Sequence, residues 1–381
     1  MNYCLASQDI RDRIKRGIIT VPQGKITKEI ESRIQPASFE PSIGDYIWEI
    51  DMSFGSFGAP SAKKTIQQII HDAPSNRRVR HSIKGGFEIK RGHSYLVPLN
   101  ETILLRKGEV VGSSPKSSTG RLFPKLRLMA DYNPCFDEVH AHYKSEKPIS
   151  MWLLLEPQAF DLIIHPNLIL NQLRFYVGDP ILSDAQVRKI HQKTPLILAR
   201  TFYGDLKPVS DPVIYEGIQL HLDLLGEHSN GIVGLRARNV ATPIDMEKLD
   251  HYDIDQFFDV LTGTEQLVVR RGEFYLFFSK EVLSTPKTLN FELKDHSHIG
   301  LQGPLHFAGF IDNGFVGDLV FEVRSDELHD FVLRDGMPLS RLTTYKTRTT
   351  PDKVYGGSIG SNYQGQIGAR AAKYFKKIQS R

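Results

Sequence analysis

Hydroxyl, guanidinium and carboxyl groups are concentrated in three short segments of the chain. The first is Lys116–Arg121 (KSSTGR), and the second is Gly309–Gly317 (GFIDNGFVG), with Glu322 a few residues beyond it. The third is Tyr363–Gly368 (YQGQIG), which follows Tyr355 by eight residues. Side chains of these types can bind phosphate, contact a sugar and transfer protons. The three segments are therefore the candidates for a catalytic site.

The serine segment, Lys116–Arg121, combines neighbouring hydroxyl groups with basic side chains. Backbone N–H groups and hydroxyls in a tight, glycine-containing turn can bind phosphate oxygens. Arg121, four residues after Ser117, adds a planar cationic group with several donors. A polar turn between two strands is the structural alternative, and this segment alone leaves both interpretations open.

The second segment has the pattern of a β-hairpin. Asn313 and Gly314 lie between two apolar pairs, Phe310–Ile311 and Phe315–Val316, which predicts a type I′ turn. Asp312 would then lie at the mouth of the hairpin. A carboxylate there could bond a sugar hydroxyl while an aromatic ring packs beside the sugar.

Glu322 follows an apolar run, Leu319–Phe321, that is typical of a strand. A lone glutamate on a strand usually faces solvent. A partly buried carboxylate at this position could instead take a proton from water and pass it to a leaving group. The glycine-rich third segment also has a plain interpretation, as the disordered end of the chain.

The bulk composition is that of an ordinary globular protein. Charged residues make up 24% and hydrophobic residues 40% of the 381 residues, which is enough apolar material for two cores. No apolar run approaches the roughly 18 residues of a membrane span, and no secretory signal is evident. Two cysteines, Cys4 and Cys135, cannot form a disulfide framework. We therefore expect a cytoplasmic protein with reduced thiols and no membrane partner.

Charge and known motifs exclude several functions. The net charge of +4 and the isoelectric point near 8.8 suit an anionic small molecule as well as nucleic acid. The sequence has neither a G-x-x-x-x-G-K-[ST] loop nor a strand-borne G-x-G-x-x-G loop. It also lacks the H-x-E and P-C-x-x-C signature of zinc deaminases. Two H-x-H pairs, His140/His142 and His296/His298, have no third ligand nearby, so we expect no protein-bound metal.

The second half of the chain repeats the pattern of the first. Arg91–Leu96 (RGHSYL) is matched 180 residues later by Arg271–Leu276 (RGEFYL). Trp152–Glu156 is likewise matched by Asp318–Glu322. We therefore divide the chain into a first repeat (residues 1–180), a second repeat (residues 181–346) and a C-terminal tail (residues 347–381).

Both repeats are expected to be mainly β. Ile218–Leu224 alternates strictly between apolar and polar residues, as a half-buried strand must. Short β-rich runs separated by turn residues favour sandwiches or barrels over a parallel sheet. Amphipathic helices are predicted at Leu5–Gly17 and Leu182–Thr194, the second with a capping box between Ser183 and Gln186. The tail is expected to be mobile until something binds to it.

In their order and spacing, the three segments resemble the dCTP deaminase/dUTPase superfamily. The trailing Arg121 and the two-repeat organisation are similar to the long-form bacterial dCTP deaminases, and Ile34–Ser38 (IQPAS) resembles an N-terminal segment of that family. The resemblance implies a mainly β fold of two tandem dUTPase-like β-barrel or β-clip repeats. A few short helices and a mobile C-terminal tail would complete it.

The resemblance also implies roles for individual residues. The catalytic residues would be Glu322, Ser117 and Arg121. The residues that bind substrate would be Lys116, Ser118, Asp312, Phe315, Tyr355, Tyr363 and Gln366. Glu156 of the first repeat is the alternative catalytic carboxylate, and the sequence does not decide between it and Glu322.

A few positions depart from the family pattern. The first residue of the serine segment is a lysine where the family has an arginine, and Gly120 stands in place of an alanine; both changes are expected to be tolerated. Phe310 replaces an arginine, which removes one polar contact. Asn362 replaces a lysine, so phosphate binding is expected to depend on Lys353 or Arg370.

The implied activity is hydrolytic deamination of dCTP to dUTP and ammonia without zinc, with a glutamate as general acid and base. Mg²⁺ would arrive with the triphosphate rather than in a protein cage. dTTP is a candidate inhibitor, a homo-oligomer is expected, and no nucleic-acid partner is expected. Three alternatives remain open: a bifunctional enzyme that also hydrolyses dUTP, a plain dUTPase, and a nucleotide-sensing protein without activity.

The two repeats have diverged in complementary ways. The first repeat keeps the serine segment, but its counterpart of the hairpin, Asp131–Phe136 (DYNPCF), has lost the Ile-Asp-x-Gly pattern. The second repeat keeps the hairpin and Glu322, but the 180-residue offset aligns Arg121 with Leu301. We therefore expect one composite site per chain, built at an interface between the repeats.

Overall fold

The computed structural model describes residues 2–51, 61–141, 147–295, 308–325, 329–356 and 359–377. Across these residues the chain is mainly β, which confirms the fold class expected from the sequence. No helix within these ranges is long and apolar enough to cross a membrane. Four residues named above lie outside the described residues, namely His142, His296, His298 and Leu301.

The strands of the first repeat form two main antiparallel sheets. They are β1 (Tyr3–Cys4), β2 (Ile19–Thr20), β3 (Tyr46–Ile50), β4 (Arg78–Ser82), β5 (Phe87–Ile89), β6 (Ser94–Ile103), β7 (Glu109–Pro115), β8 (Pro124–Ala130), β9 (Glu138–His140), β10 (Ile149–Pro157), β11 (Leu162–Ile164) and β12 (Asn171–Val177). One sheet has the order β1-β12-β7-β9, and the other has the order β4-β3-β6-β10-β8, with β2 also paired to β6.

The second repeat is built in a similar way. Its strands are β13 (Ile197–Arg200), β14 (Leu206–Pro208), β15 (Ile218–His221), β16 (Ile232–Ala237), β17 (Ile244–Asp245), β18 (Phe258–Thr262), β19 (Gln266–Val269), β20 (Phe274–Ser284), β21 (Leu289–Asp295), β22 (Phe310–Ile311), β23 (Val316–Arg324), β24 (Phe331–Arg334) and β25 (Pro338–Lys346). They form the sheets β14-β13-β20-β16-β18, with β23 paired to β20, then β15-β25-β21-β22 and β19-β24. β17 pairs in parallel with β11 of the first repeat, so the repeats are joined by a shared sheet.

Short helices cover the ends of the sheets. The helices are Ser7–Lys15, Lys28–Ser32, Ile66–Asp72, Ser117–Gly120, Asp184–Lys193 and Ile254–Phe257, with 3₁₀ turns at Pro22–Gly24 and Ser75–Arg77. Both amphipathic helices predicted from the sequence are therefore confirmed. The predicted capping box is also present, because Ser183 Oγ accepts a hydrogen bond from the backbone N–H of Gln186, whose side chain accepts from the backbone N–H of Ser183.

The central strand pairs of the two repeats have the same geometry. Tyr95 on β6 lies opposite Leu155 on β10, and Tyr275 on β20 lies opposite Val323 on β23. Each pair contains a β-bulge at the corresponding position. Each tyrosine hydroxyl also accepts a hydrogen bond from the backbone N–H five residues before it. The two pairs are therefore equivalent in detail as well as in sequence.

This register corrects one part of the sequence comparison. The sequence comparison aligned Glu156 with Glu322. Leu96 and Leu276 are equivalent, because each follows the equivalent tyrosine by one residue. Leu154 lies opposite Leu96, whereas Glu322 lies opposite Leu276. The structural counterpart of Glu322 is therefore Leu154, two residues before Glu156. The sequence alignment was wrong because it matched the two glutamates and ignored the pairing of each strand with its neighbour.

The hydrophobic cores do not follow the boundary between the repeats. The core that holds most apolar side chains of the first repeat also contains Leu235 and Phe274 of the second repeat. It further contains several tail residues between Ala369 and Phe375. The tail therefore follows an irregular path over both repeats and is anchored near its end by buried side chains, which holds the segment before them against the protein.

The predicted hairpin around Asp312 is wrong in one respect. β22 pairs with β21 and β23 pairs with β20, so the two strands that flank Asp312 belong to different sheets. The intervening residues form a turn, in which the Phe315 N–H bonds the Asp312 carbonyl at 3.3 Å. Gly314 alone has a left-handed φ, of 91°, whereas a type I′ turn needs two such residues. We call residues 310–315 the Asp312 turn.

Candidate active site

All three segments found in the sequence meet at one cavity between the repeats. The cavity has a volume of about 320 Å³. The serine segment of the first repeat, the Asp312 turn of the second repeat and the tail all line it. Every site residue expected from the sequence is among the lining residues: Lys116, Ser117, Ser118, Arg121, Asp312, Phe315, Glu322, Tyr355, Tyr363 and Gln366.

Glu322 lies on β23 with its carboxyl group almost wholly buried. The residue is only 2% exposed, and its Oε2 accepts a hydrogen bond from the Ala308 N–H at 3.0 Å. Burial raises the pKa of Glu322 to about 8, because removing the carboxylate from water penalises its charged form. The Ala308 hydrogen bond and the charge of Arg121 oppose this rise. The carboxyl group can therefore hold a proton at neutral pH.

Gly120 provides the space that the Glu322 side chain occupies. A Cβ atom at position 120 would lie 2.4 Å from Glu322 Oε1 and 2.8 Å from the Cβ of Ala308. Both distances are far shorter than real carbon contacts. The glycine therefore leaves open the space that the carboxyl group occupies.

Arg121 is held in place by the tail. It is 4% exposed, and it donates to the Arg370 carbonyl at 2.8 Å and to Gln366 Oε1 at 3.0 Å. Its guanidinium carbon lies 3.8 Å from the centre of the Tyr363 ring. Burial lowers the pKa of Arg121, while the charges of Tyr363 and Glu322 oppose this effect. The tail thus fixes the orientation of a buried cation that belongs to the first repeat.

The tyrosines of the tail close the other side of the cavity. The hydroxyls of Ser118 and Tyr363 share a hydrogen bond of 2.7 Å. The Tyr355 hydroxyl accepts a hydrogen bond from the Tyr363 N–H at 3.3 Å. The Tyr355 ring packs edge-on against Phe315, with 5.5 Å between the ring centres. The serine segment, the tail and the Asp312 turn are therefore linked to one another around the cavity.

Asp312 presents an unsatisfied carboxylate oxygen. The residue is 7% exposed, and its Oδ1 has no hydrogen-bond partner among the described residues. Burial raises the pKa of Asp312 to about 6, and the nearby charge of Arg174 opposes that rise. Buried polar atoms are normally hydrogen-bonded. Because Asp312 also lines the cavity, its carboxylate group is placed to accept a hydrogen bond from a ligand.

The cations do not all lie where the sequence suggested. Lys116 lines the cavity and pairs with Glu40 at 2.7 Å. Lys353 instead donates to the Glu31 carbonyl at 2.6 Å, away from the cavity lining. Arg370 is not among the lining residues either, and its carbonyl holds Arg121. The expectation that phosphate binding depends on Lys353 or Arg370 therefore finds no support in the geometry.

Glu156, the alternative carboxylate, lies outside this cavity. It pairs with Lys125 Nζ at 2.8 Å and accepts a hydrogen bond from Ser94 Oγ at 2.8 Å. It does not line the cavity. Of the two glutamates that the sequence left open, Glu322 is the one beside the other candidate residues.

Sequence reasoning missed two charged residues near the cavity, Glu40 and Arg174. Glu40 follows Ile34–Ser38 by two residues, and the resemblance in that segment could have drawn attention to it. Arg174 is a lone charge in the β12 sequence NQLRFYV, which gives no sign of its contacts. Its partners are in the second repeat, so only the packing of the two repeats reveals them.

The fold and the cavity define the class of protein: a mainly β enzyme of two related repeats, with a cavity between them that Glu322, Asp312 and Arg121 line. The chain matches the family model of the 2′-deoxycytidine 5′-triphosphate deaminase N-terminal domain over residues 2–179. It matches the model of the C-terminal domain over residues 183–375. The chain therefore belongs to the 2′-deoxycytidine 5′-triphosphate deaminase family.

Individual proteins agree with this assignment. A dCTP deaminase of Natronomonas pharaonis is 28% identical over 200 residues, which are 51% of this chain and 94% of that protein. A dUMP-forming dCTP deaminase of Parafrankia sp. is 34% identical over 117 residues, which are 30% of this chain and 58% of that protein. The crystal structure of the Agrobacterium tumefaciens dCTP deaminase is similar with a TM-score of 0.79 and 26% identity, over 92% of this chain and 99% of that one. The last match spans both repeats.

Proposed function

We propose that this protein hydrolyses dCTP to dUTP and ammonia. The observation that carries the proposal is the buried carboxyl group of Glu322 in the cavity that Arg121 and Asp312 also line. The cavity volume of about 320 Å³ is in the range of small-molecule sites. Membership of the dCTP deaminase family supports the choice of substrate.

The reaction needs a group that relays protons. Water adds its oxygen to C4 of cytosine, and the bond between C4 and the exocyclic nitrogen breaks. One proton of the water ends on ring N3 of the uracil product, and the other leaves with ammonia. Glu322 is suited to this relay because the pKa of its carboxyl is about 8, so its protonated and ionised forms are both accessible near neutral pH.

Arg121 and Ser117 act on this carboxyl group and on the water. The charge of Arg121 lowers the pKa of Glu322 and so favours its ionised form. The Ser117 hydroxyl lines the same cavity and holds the attacking water. The resemblance implies that Gln366 binds substrate, and in the structure its side chain is bound to Arg121 and to the Asp318 carbonyl. It therefore acts chiefly by orienting Arg121.

The remaining residues bind the nucleotide. The Asp312 carboxylate accepts a hydrogen bond from the 3′-hydroxyl, and the Phe315 ring packs against the deoxyribose. Lys116, with Ser118 and the tail tyrosines, binds the triphosphate. Mg²⁺ arrives as part of the substrate, in complex with the triphosphate, and no zinc takes part. dTTP inhibition and assembly into a homo-oligomer stay predictions from the family resemblance.

A second candidate function is deamination followed by hydrolysis of dUTP to dUMP and diphosphate. The observation that favours it is the relative from Parafrankia, which is a dUMP-forming dCTP deaminase. The Natronomonas relative and the Agrobacterium structure carry the plain name of dCTP deaminase. The two candidates differ only in their products.

The test is to incubate the purified full-length protein with dCTP or dUTP and Mg²⁺ and to separate the products by ion-exchange chromatography. Equal amounts of dUTP and ammonia support the proposal. Production of dUMP and diphosphate from dCTP supports the second candidate. Turnover of dUTP without turnover of dCTP identifies a plain dUTPase, and binding without turnover of either identifies a sensing protein.

The same assay tests the catalytic residue. Glu322→Gln keeps the size of the side chain but cannot exchange a proton, so we expect kcat for dCTP to fall by about a thousandfold. Substrate binding should survive. Glu156→Gln is the matched control, because Glu156 lies on the corresponding strand of the first repeat but outside the cavity. An inactive Glu156→Gln beside an active Glu322→Gln would refute the assignment.

A further inference from the structure

Arg174 is a fully buried cation that the mechanism above does not use. It lies on β12 of the first repeat and is 0% exposed. Burying a guanidinium group costs several kcal/mol unless it is paired and hydrogen-bonded. A residue placed in this way needs compensating partners, and those partners indicate what it does.

The hydrogen bonds and ring contacts of the Arg174 guanidinium are made with the second repeat, while Tyr176 and Cys4 of the first repeat act on its charge. It donates to the Phe291 carbonyl at 3.0 Å and to the Ile311 carbonyl at 3.4 Å. Its central carbon lies 4.1 Å from the centre of the Phe310 ring. The Nε atom has no hydrogen-bond partner among the described residues. The side chain therefore crosses the interface between the repeats and ends beneath the Asp312 turn.

The one carboxylate within ion-pair distance of Arg174 is Asp312, in the part of the chain that the structure describes. Nη2 of Arg174 lies 3.8 Å from Oδ1 of Asp312. That distance is long for a hydrogen bond but short for two charges in a dry environment. Asp312 Oδ1 is the same oxygen that has no hydrogen-bond partner. The arginine thus supplies charge to the carboxylate without a hydrogen bond to it, and Asp312 also lines the cavity.

We propose that Arg174 is a positioning residue for sugar recognition, which holds the Asp312 carboxylate ionised and aimed into the cavity so that Asp312 accepts a hydrogen bond from the 3′-hydroxyl of a deoxynucleotide. The inference deepens the proposed function and rests on it. Because the arginine comes from the first repeat, recognition of the sugar depends on the interface between the repeats as well as on the turn itself.

The charges around Asp312 predict that recognition of the sugar hydroxyl depends on pH. Burial raises the pKa of Asp312 to about 6, and Arg174 and Lys116 oppose the rise. Glu40 adds to the rise, the backbone of Ala37 opposes it, and the charge of Asp312 in turn helps to raise the pKa of Tyr355. Removing the positive charge of Arg174 should raise the Asp312 pKa further, toward neutral pH. A protonated carboxyl group would then lose its value as a strong acceptor.

The experiment compares two nucleotides that differ at one hydroxyl. The Michaelis constants for dCTP and for 2′,3′-dideoxy-CTP are measured from pH 5.5 to 8.5 with the full-length protein. Wild type should prefer dCTP, and this preference should decline as the pH falls through about 6. Arg174→Gln keeps a polar side chain but removes the charge and shortens the side chain. In this variant the preference should fall by about tenfold at pH 7, and the decline should begin at a higher pH.

Two further variants separate positioning from general stability. Arg174→Lys retains a positive charge and should recover part of the preference. In a protein that already carries Asp312→Asn, adding Arg174→Gln should not reduce the preference for dCTP any further, because the arginine acts through that carboxylate. Arg13→Met is the matched control, because Arg13 also lies near an aromatic ring, that of Phe175, and pairs with a carboxylate, Glu109, away from the cavity. Its loss should leave the preference and its pH profile unchanged.

The outcomes distinguish this inference from the proposed function. A wild-type protein that neither binds nor converts dCTP refutes the proposed function. A wild type that prefers dCTP, together with an Arg174→Gln protein that shows the same preference and the same pH profile, refutes only the role of Arg174. A fall in kcat alone, with both Michaelis constants unchanged, would mean that Arg174 is structural. If Arg174→Gln does not fold, Arg174→Lys decides: it should retain only part of the preference for dCTP, and a preference and pH profile identical to those of wild type would refute the inference.

Discussion

At the level of single residues, Glu322 is distinguished by what surrounds it. The carboxyl group is buried, it accepts one backbone hydrogen bond from Ala308, and it has no ion-pair partner within the described part of the chain. An isolated buried carboxylate is costly, and a group in that position neutralises itself by taking a proton. A shifted pKa of this kind is common at catalytic sites, where it serves proton transfer at the expense of stability.

The raised pKa of Glu322 predicts a pH-dependent gain of stability for Glu322→Gln. The pKa is about 8 in the folded protein, against 4.5 for an ordinary glutamate. Between these values the folded state binds a proton that the unfolded state has lost, so stability falls as the pH rises through this window. The variant has no such proton. Its free energy of unfolding should exceed that of wild type increasingly from pH 5 to 8, by an amount on the order of 3 kcal/mol at the upper end.

Urea unfolding of both proteins at several pH values measures this difference. Glu156→Gln provides the comparison, because Glu156 is ion-paired with Lys125 and lies outside the cavity. A stability difference between Glu322→Gln and wild type that stays constant from pH 5 to 8 would mean that the carboxyl group titrates normally.

The contact between Gly120 and Glu322 predicts that Gly120→Ala reduces activity. The added methyl group would lie 2.4 Å from Glu322 Oε1, so the carboxyl group must move. We expect kcat to fall by at least about tenfold, because a small displacement of a catalytic group is costly. Gly44→Ala is the control, since a Cβ at Gly44 would also be crowded, at 3.1 Å from Pro98, but far from the cavity. Equal kcat values for both variants and wild type would contradict the prediction.

At the level of elements, local sequence signals were sufficient wherever the determining contacts are local. The capping residues Ser183 and Gln186 predicted a helix that the structure contains, and the alternation of Ile218–Leu224 predicted a strand that is present but shorter, at Ile218–His221. The Asp312 turn shows where such signals fail. Asn-Gly between apolar pairs is compatible with a hairpin, but β22 and β23 each bond to other strands. The pairing of β22 and β23 with other strands overrides the turn preference of Asn-Gly. Such long-range pairing cannot be predicted from neighbouring residues.

The members of the candidate site could also be predicted from local sequence, but the contacts between distant residues could not. Side-chain types in short segments identified its members, and their convergence on one cavity agrees with the composite arrangement expected from the complementary losses. The resemblance did not indicate that Arg174 would approach Asp312 from the other repeat. It also gave no sign that Gln366 would be bound to Arg121. Both contacts join residues far apart in the sequence, and no local pattern encodes them.

The hydrogen bond between Arg121 and Gln366 of the tail predicts that Gln366→Ala reduces activity. The variant removes the side-chain acceptor of a buried guanidinium donor, which costs about 1 to 3 kcal/mol when the donor stays unsatisfied. Arg121 should then lose its orientation, and kcat/KM for dCTP should fall by about tenfold or more. Ile367→Ala is the control in the adjacent position, since Ile367 is 52% exposed. Thermal unfolding and steady-state kinetics measure both effects, and equal behaviour of the two variants would show that the tail does not orient Arg121.

At the level of the whole molecule, the two repeats share cores as well as a cavity. Tail residues between Ala369 and Phe375 pack in the core of the first repeat, and β17 of the second repeat pairs with β11 of the first. Neither repeat is therefore expected to fold normally when it is cut off at residue 180. The two repeats are therefore expected to fold together as one unit. The first repeat supplies the serine segment of the cavity, and the second supplies the carboxylates Asp312 and Glu322.

The asymmetry of the repeats predicts one nucleotide per chain. The first repeat has Leu154 at the position of Glu322, and this leucine packs in a hydrophobic cluster with Ile50 and Trp152. A second cavity of the same kind would therefore lack its catalytic carboxylate. Calorimetric titration of the Glu322→Gln protein with dCTP and Mg²⁺ should saturate at one nucleotide per chain, because this variant binds without turnover. Saturation at two equivalent nucleotides would mean that each repeat has kept a working site, and the complementary divergence of the repeats would then have no functional meaning.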